Sequence, residues 1–245
     1  MSNDFLSNMR EDLAAPERTR SLNRDLFTLI APQYDQATRY LSLGRDACWK
    51  DRLVASLPER TAPVCLDLAC GTGDLTRRLA VKYPEGTVLG LDLTEAMLDQ
   101  ARHYGHPPHV RYVAGDMGHT GLADSSVDIV TGSYALRNAG DLPEALREIH
   151  RILKPGGLAV FLDFSKPAHP WLQGISHAIL TLWGSAWGWL LHRDPRVYAY
   201  IADSLARYPD RHQLAALLRK TGLEPLHTRY AFAGLIECLA VEKRP

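Results

Sequence analysis

Asp67, Gly71, Thr72, Gly73 and Asp92 are the residues whose types and spacing first suggest chemistry. Asp67 lies near the end of a short apolar run that starts at Val64. A helical pattern opens at Asp74, with Leu75, Leu79 and Ala80 on one face. Strand, glycine turn and helix in that order build a nucleotide cradle: glycine lets backbone approach a ligand, and the helix N-terminus offers free N–H groups. The third glycine of the dinucleotide fingerprint is replaced by Thr76, and no P-loop lysine follows. Dinucleotides and nucleoside triphosphates are thus disfavoured, and a ligand without a pyrophosphate fits better. A second apolar strand, Val88 to Leu91, ends in Asp92, about where a carboxylate receives ribose hydroxyls.

The elements that must position these groups follow from the apolar pattern. Strands are expected at Val110 to Ala114, before Gly115, Asp116 and Met117, at Val127 to Ser133, and at Leu158 to Phe164 after a helix over Leu142 to Leu153. Helices run from Arg196 to Gly222 with a break at Tyr208-Pro209. Strands at Leu223 to Tyr230 and Leu235 to Val241 close the chain as an antiparallel hairpin. Strands alternating with helices imply an α/β, doubly wound parallel sheet, whose ligands sit beyond the carboxyl ends of the strands. That edge collects Asp67, Asp92, Asp116, Ser133 and Asp163. Asp67 beside the open glycine loop suits a ligand carrying an amine and a sulfonium.

The 245 residues suffice for one large domain. We expect a loose segment over 1–20, one domain over 21–245, a helical cap over 21–60 and an apolar insertion over 168–192. Lys+Arg and Asp+Glu both number 28, so no basic field argues for nucleic acid. Four cysteines without a C-x-x-C pair, and an N-terminus without an apolar signal core, point to a reducing cytoplasm. Cys65 and Cys70 read as small core residues. No Asp, Glu, Lys or Arg occurs from Pro167 to His192, and Trp171, Trp183, Trp187 and Trp189 fall in that stretch. Its length formally qualifies it as a membrane span, but Gln173, Ser176, His177, Ser185 and the glycines argue against crossing. A helix that lines an apolar pocket and touches a bilayer from the inner face fits, with core or homodimer face as the competing reading.

The two strands with Asp67 and Asp92 resemble motifs I and II of class I S-adenosylmethionine methyltransferases. IAPQYDQATRYLSLG (30–44) with Trp49, LDLACGTGDL, SYALRN (133–138), RILKPGG (151–157), LDFSKP (162–167) and YAYIADSLARYP (198–209) occur in order. Together they resemble the ubiquinone/menaquinone biosynthesis C-methyltransferases (the UbiE/MenG group), most of all the phylloquinone type. The family usually has Met-Asn where this chain has Ala37-Thr38, a His at the position of Asp46, and a Glu at that of Asp163.

The resemblance implies a Rossmann-like, seven-stranded, mostly parallel sheet. It implies S-adenosylmethionine as cofactor and no metal. The cofactor would lie on Asp67, Gly71, Thr72, Gly73, Asp92, Gly115, Asp116, Met117 and Ser133. The reaction would be C-methylation of a prenylated quinol: demethylmenaquinol, demethylphylloquinol or a demethoxy-type benzoquinol. Arg137 would stabilise the phenolate, Asn138 orient the acceptor and Tyr34 position its ring, with Asp163 a candidate proton acceptor. Three alternatives stand beside this. The acceptor could be a secondary-metabolite aromatic methylated on oxygen or carbon, the chain could be a non-catalytic lipid- or nucleotide-binding member of the fold, and Arg137 could be an ion-pair partner of Asp141 or Glu144.

Overall fold

Pro16 opens a 15-residue helix, because a proline in the first turn forfeits only an N–H that has no intrahelical acceptor. Leu22, Leu26 and Ile30 recur on its buried face. The computed structural model describes Leu6, residues 9–13 and residues 15–244. The loose segment expected over 1–20 therefore lies partly outside the described residues, while 16–20 are helical with Thr19 buried.

A short helix α1 (Met9–Asp12) precedes α2 (Pro16–Ile30), α3 (Tyr34–Leu41) and α4 (Asp46–Ser56). Then come β1 (Val64–Leu68), α5 (Asp74–Lys82), β2 (Thr87–Asp92), α6 (Glu95–His103), β3 (Val110–Ala114) and β4 (Val127–Ser133). After a single 3-10 turn at Leu136–Asn138 follow α7 (Leu142–Ile152), β5 (Leu153–Phe164), α8 (Pro170–His192), α9 (Arg196–Arg207), α10 (Arg211–Lys220), β6 (Leu223–Ala231) and β7 (Ile236–Lys243).

The seven strands form one sheet in the order β3-β2-β1-β4-β5-β7-β6. The first five pair in parallel, and β7 runs antiparallel between β5 and β6. The expected α/β architecture is the observed one. β1 lies inside the sheet and is buried on both faces, which explains why it is apolar apart from Asp67. One face is covered by α7, α9 and α10 through Leu146, Ile149, Leu205 and Leu218, the other by α4, α5 and α6 through Leu53, Leu79 and Leu98. A third cluster packs α2 and α3 against Tyr198 and Tyr200 of α9, over the carboxyl edge of the sheet.

β5 starts earlier than its apolar run suggests. Lys154 to Gly157 lie inside the strand, where the pairing with β4 jumps from Val127↔Leu153 to Ile129↔Leu158. Pro155 has no N–H for the ladder and Gly156 sits at φ +71°, so the pairing lapses and resumes. The charge-free stretch is one helix, α8, of 23 residues. Gly184 lets it close on α9, since a Cβ there would lie 2.5 Å from the Tyr198 carbonyl oxygen. Among the described residues no helix is long and apolar enough to cross a membrane. Cys65 and Cys70 are buried free thiols, as expected of core residues.

Candidate active site

Beyond the carboxyl ends of β1 and β2 lies a cleft. Gly71, Asp92, Gly115, Asp116, Met117 and Ser133 all line it, joined by Phe27, Tyr34, Met97 and Asn138. Asp92 anchors the turn. One carboxylate oxygen accepts from the Gly71 N–H at 2.8 Å, the other from the Thr94 N–H at 2.9 Å. The carboxylate faces the cleft, where a ribose hydroxyl is a donor of the kind it accepts. Burial pushes the Asp92 carboxyl up to about 6, against the pull of those backbone donors. A carboxylate, a wall of Leu91, Met97 and Met117, and a glycine turn form a donor and packing set suited to a nucleoside.

Three residues expected to touch the cofactor do not line this cleft. Asp67 is fully buried beneath the turn, where its oxygens accept from Thr76 Oγ1 at 2.7 Å and Thr131 Oγ1 at 2.9 Å. It ties the end of β1 to α5 and β4 and lies in the core, so the structure gives it no contact with a ligand amine. Burial pushes its carboxyl up to about 6. Thr72 donates to Asp35 at 2.6 Å. Gly73 starts α5 at φ +78°, and a Cβ there would sit 2.3 Å from the Tyr112 hydroxyl; its glycine serves packing and backbone shape. Asp116 combines two roles. It faces the cleft, and it is also a turn acid that accepts from the Gly118 N–H at 2.9 Å and pairs with Arg20.

A second hollow of about 750 Å³ adjoins the cleft. Phe27, Tyr34, Tyr134 and Asn138 line both. Its walls come from α2, α3, α8, α9 and the β6–β7 turn, with Ile30, Leu41, Ile179, Trp183 and Ile236 among them. Ala37 and Thr38 line it as well. Among the described residues that line it, Arg137 is the only charged one. Of the four tryptophans of α8, Trp183 lines this hollow, Trp171 and Trp189 are exposed, and Trp187 stacks on Tyr40 with ring centroids 4.4 Å apart. Trp187 is half-buried and packs against the cluster formed by α2 and α3 with α9.

The Leu136–Asn138 turn carries two of the expected catalytic residues to the junction. Arg137 is held by Asp163, with its backbone N–H donating to Oδ2 at 3.1 Å, and by the Ser204 hydroxyl, which accepts from its guanidinium. Its ion-pair partner is thus Asp163, not Asp141 or Glu144. Asp141 instead caps α7 by accepting from the Glu144 N–H at 2.9 Å. Asn138 donates to the Tyr134 carbonyl at 2.9 Å and lies 2.8 Å from the Tyr200 hydroxyl. Tyr34 lines both hollows, and burial pushes its phenol up to about 12. Asp163 lines neither. It lies behind Arg137, its carboxyl raised by burial while the Arg137 charge pulls the other way.

Sequence reasoning missed Arg20, Asn23 and Tyr134. Arg20 reaches from α2 to Asp116 and Glu144 and lines the cleft. Asn23 donates to the Asn138 carbonyl at 2.7 Å. Both fall in or beside the segment read as loose. Their turn-by-turn position on the buried side of an amphipathic helix was the signal that could have found them.

A doubly wound sheet with a reversed β7, a glycine turn locked by Asp92 and an acid after β3 define a class I, S-adenosylmethionine-dependent methyltransferase. A putative methyltransferase solved in complex with the Haloferax volcanii Trm112 activator superposes with a TM-score of 0.67 at 18% identity, covering 89% of this chain and 98% of that one. That likeness shows the fold. The chain belongs to the ubiE/COQ5 methyltransferase family, whose profile matches residues 16–241. It is 36% identical to the 2-phytyl-1,4-naphtoquinone methyltransferase of Thermosynechococcus vestitus, over 89% of this chain and 97% of the relative. It is 35% identical to the ubiquinone/menaquinone biosynthesis C-methyltransferase UbiE of Rubrivivax gelatinosus, over 93% and 88%.

Proposed function

We propose that this methyltransferase transfers the methyl of S-adenosylmethionine to a ring carbon of a prenylated quinol in quinone biosynthesis. The acceptor class comprises demethylmenaquinol, demethylphylloquinol and demethoxy-type benzoquinols. One observation carries the reading: a hollow of about 750 Å³, apolar apart from Arg137 and a few neutral polar groups, shares a wall with the cofactor cleft. The relatives named above act, by their names, on such quinones.

Asp92, Gly71, Gly115, Asp116, Met117 and Ser133 would hold the cofactor, which supplies an electrophilic sulfonium methyl. Asp67, Thr72 and Gly73 support that cleft from behind. The acceptor ring would lie between Tyr34 and Tyr134, against Arg137 and Asn138. Holding the ring carbon there removes most of the entropy cost of a bimolecular encounter. The Arg137 guanidinium favours the phenolate over the phenol, which raises electron density at the ortho carbon. Asn138 is fixed from two sides and orients the acceptor. The apolar walls exclude water, so the Arg137 charge acts at low local dielectric.

A prenyl tail would run along α8. Each buried CH₂ contributes about 0.8 kcal/mol, so a long tail binds strongly through area alone. Leu43, Ile175, Ile179 and Phe232 both line the hollow and are exposed, so its mouth is apolar. The outer face of α8 continues this surface through Trp171, Leu182, Trp189 and Leu190. Peripheral contact of this face with a bilayer, from the cytoplasmic side, would deliver a lipid acceptor; a homodimer across the same face is the competing occupant.

The test is a methyl-transfer assay across demethylated benzoquinols and naphthoquinols, each with and without its tail, read by mass spectrometry of the product. Methylation of tailed quinols at low KM supports the proposal. Equal KM for tailed and tailless acceptors favours a small aromatic substrate, and no transfer to any acceptor favours a binding role.

A further inference from the structure

Tyr134 stands where the two hollows meet and lines both. It follows β4 at φ +58°, a left-handed backbone that a bulky aromatic adopts only where the surroundings impose it. Its hydroxyl donates to Asp46 Oδ1 at 2.8 Å. Asp46 opens α4, and its Oδ2 lies 2.8 Å from Lys50 Nζ. Lys50 lies 3.1 Å from Asp74, which Arg78 also meets at 3.2 Å, and Arg78 pairs in turn with Asp51. Arg77 also faces Asp74, so Asp46, Asp74 and Asp51 are matched by three cations. The side chains of Asp46 and Lys50 are 12% and 7% exposed, so this end of the cluster sits largely away from water.

The quinol reading leaves a proton without a destination. The Arg137 guanidinium stays protonated in proteins and cannot take it. Asp163 lines neither hollow. Among the described residues that line the apolar hollow there is no Asp, Glu or His. Tyr134 is the lining residue whose hydroxyl leads to a carboxylate.

We propose that Tyr134 and Asp46 form the proton-accepting arm of the methyl transfer, Tyr134 touching the acceptor and Asp46 acting through it. The proposal rests on the quinol reading. The acceptor O–H bond breaks and its proton joins Tyr134 Oη. In the same motion the Tyr134 proton passes to Asp46 Oδ1. The electron pair stays on the acceptor oxygen, beside Arg137, and makes the ortho carbon nucleophilic. Lys50 remains an ammonium beside the protonated Asp46. Charged and titratable groups facing Tyr134 are Asp46 on α4, Tyr34 on α3 and Asp163 on β5. Lys50 faces Asp46, Asp74 and Tyr34.

The experiment is single-turnover methylation of a demethylated naphthoquinol at saturating cofactor, from about pH 6 to 9.5. The proteins are the parent, Tyr134→Phe, Asp46→Asn and Asp46→His. Asn keeps an oxygen for the tyrosine hydroxyl but cannot take its proton, so it separates orientation from proton transfer. Tyr134→Phe and Asp46→Asn should be slower by about 100-fold at neutral pH, the usual scale of general-base catalysis. The gap should close at high pH, where the acceptor ionises unaided. Asp46→His should recover to within about tenfold of the parent, and cofactor affinity by calorimetry should stay within about threefold, which reports on folding. An Asp46→Asn rate within about threefold of the parent, or a gap constant across pH, would overturn the proposal. Absorbance titration of bound 4-nitro-1-naphthol reads the same arm without methyl transfer. Its ionisation midpoint should fall by about one unit or more in Asp46→Asn, because the Asp46 charge disfavours a second anion along the same arm, and an unchanged midpoint would contradict the relay. If the parent methylates no quinol, the quinol reading fails while this titration still decides the relay.

Discussion

Arg137 and Asp163 are joined twice: the Arg137 backbone N–H donates to Asp163 Oδ2 at 3.1 Å, and its guanidinium Nε lies 3.6 Å from Oδ1. The two side chains are 4% and 2% exposed. The carboxylate therefore fixes the arginine from behind while the guanidinium meets the apolar hollow. Nε has no hydrogen-bond partner, so this pair is held by charge and by the backbone bond.

Arg137→Ala should lower single-turnover methylation by the equivalent of about 2–4 kcal/mol with cofactor affinity intact. Arg137→Lys keeps the charge but loses the planar fork and should not rescue the rate. A rate within about threefold of the parent would assign Arg137 to the scaffold. Asp163→Asn leaves Arg137 buried without its counter-charge and should destabilise the fold by about 3 kcal/mol, measured by urea unfolding.

Asp92→Ala removes the carboxylate that holds the Gly71 and Thr94 N–H groups and that would receive a ribose. Charge-assisted bonds are worth about 1.5–3 kcal/mol each, so calorimetry should show cofactor affinity reduced about tenfold or more. In the parent, burial places the Asp92 carboxyl at about 6. Protonation removes acceptor capacity, so affinity should fall as pH drops through that value. Flat affinity from pH 5 to 8 would remove Asp92 from the ligand.

Glu237 on β7 lies opposite Asp163 on β5 in the sheet register. Burial pushes its carboxyl up to about 7, with Ser165 and Arg211 pulling the other way and Asp163 adding to the rise. An unfolded glutamate titrates near about 4.3, so between these values the native state binds more protons. This contribution to stability is full below the unfolded value and is lost as pH rises through about 7. Glu237→Gln keeps the Ser165 bond without the charge. It should gain about 1–3 kcal/mol over the parent on going from pH 5 to 8 in urea unfolding. Parallel pH profiles would contradict this.

Leu182 and Leu190 lie on the outer face of α8, 73% and 54% exposed, and neither lines the hollow. Leu182→Glu with Leu190→Glu should cut co-sedimentation with phosphatidylethanolamine–phosphatidylglycerol vesicles by about tenfold. Methylation of a tailless quinol in solution should not change. Unchanged vesicle binding, together with loss of a dimer in light scattering, would make this face a contact between copies.

The sheet was legible because β1, β2 and β4 are largely buried on both faces and read as mostly apolar runs of strand length. Gly71, Asp92, Gly115, Asp116, Met117 and Ser133 could be placed at one edge for the same reason: strand ends in a parallel sheet converge. Asp67 shows the limit of that rule. It stands at the same edge, yet its carboxylate turns into the core to meet Thr76 and Thr131, and nothing in a local pattern says which side of a strand end a carboxylate takes. The apolar hollow was only partly legible, since its walls come from α2, α3, α8, α9 and the β6–β7 turn, brought together over long separations. The Tyr134–Asp46 bond spans 88 positions and has no periodic signature. Arg20 and Asn23 were hidden because charge around Pro16 outweighed the buried face of α2.

The most direct measurement uses S-adenosylmethionine labelled with CD₃, one turnover on demethylmenaquinol, and fragmentation of the product by mass spectrometry. The account predicts the label on a ring carbon of the tailed quinol, formed faster than on its tailless counterpart. A label on oxygen, or none on any tailed quinol that binds, would contradict it.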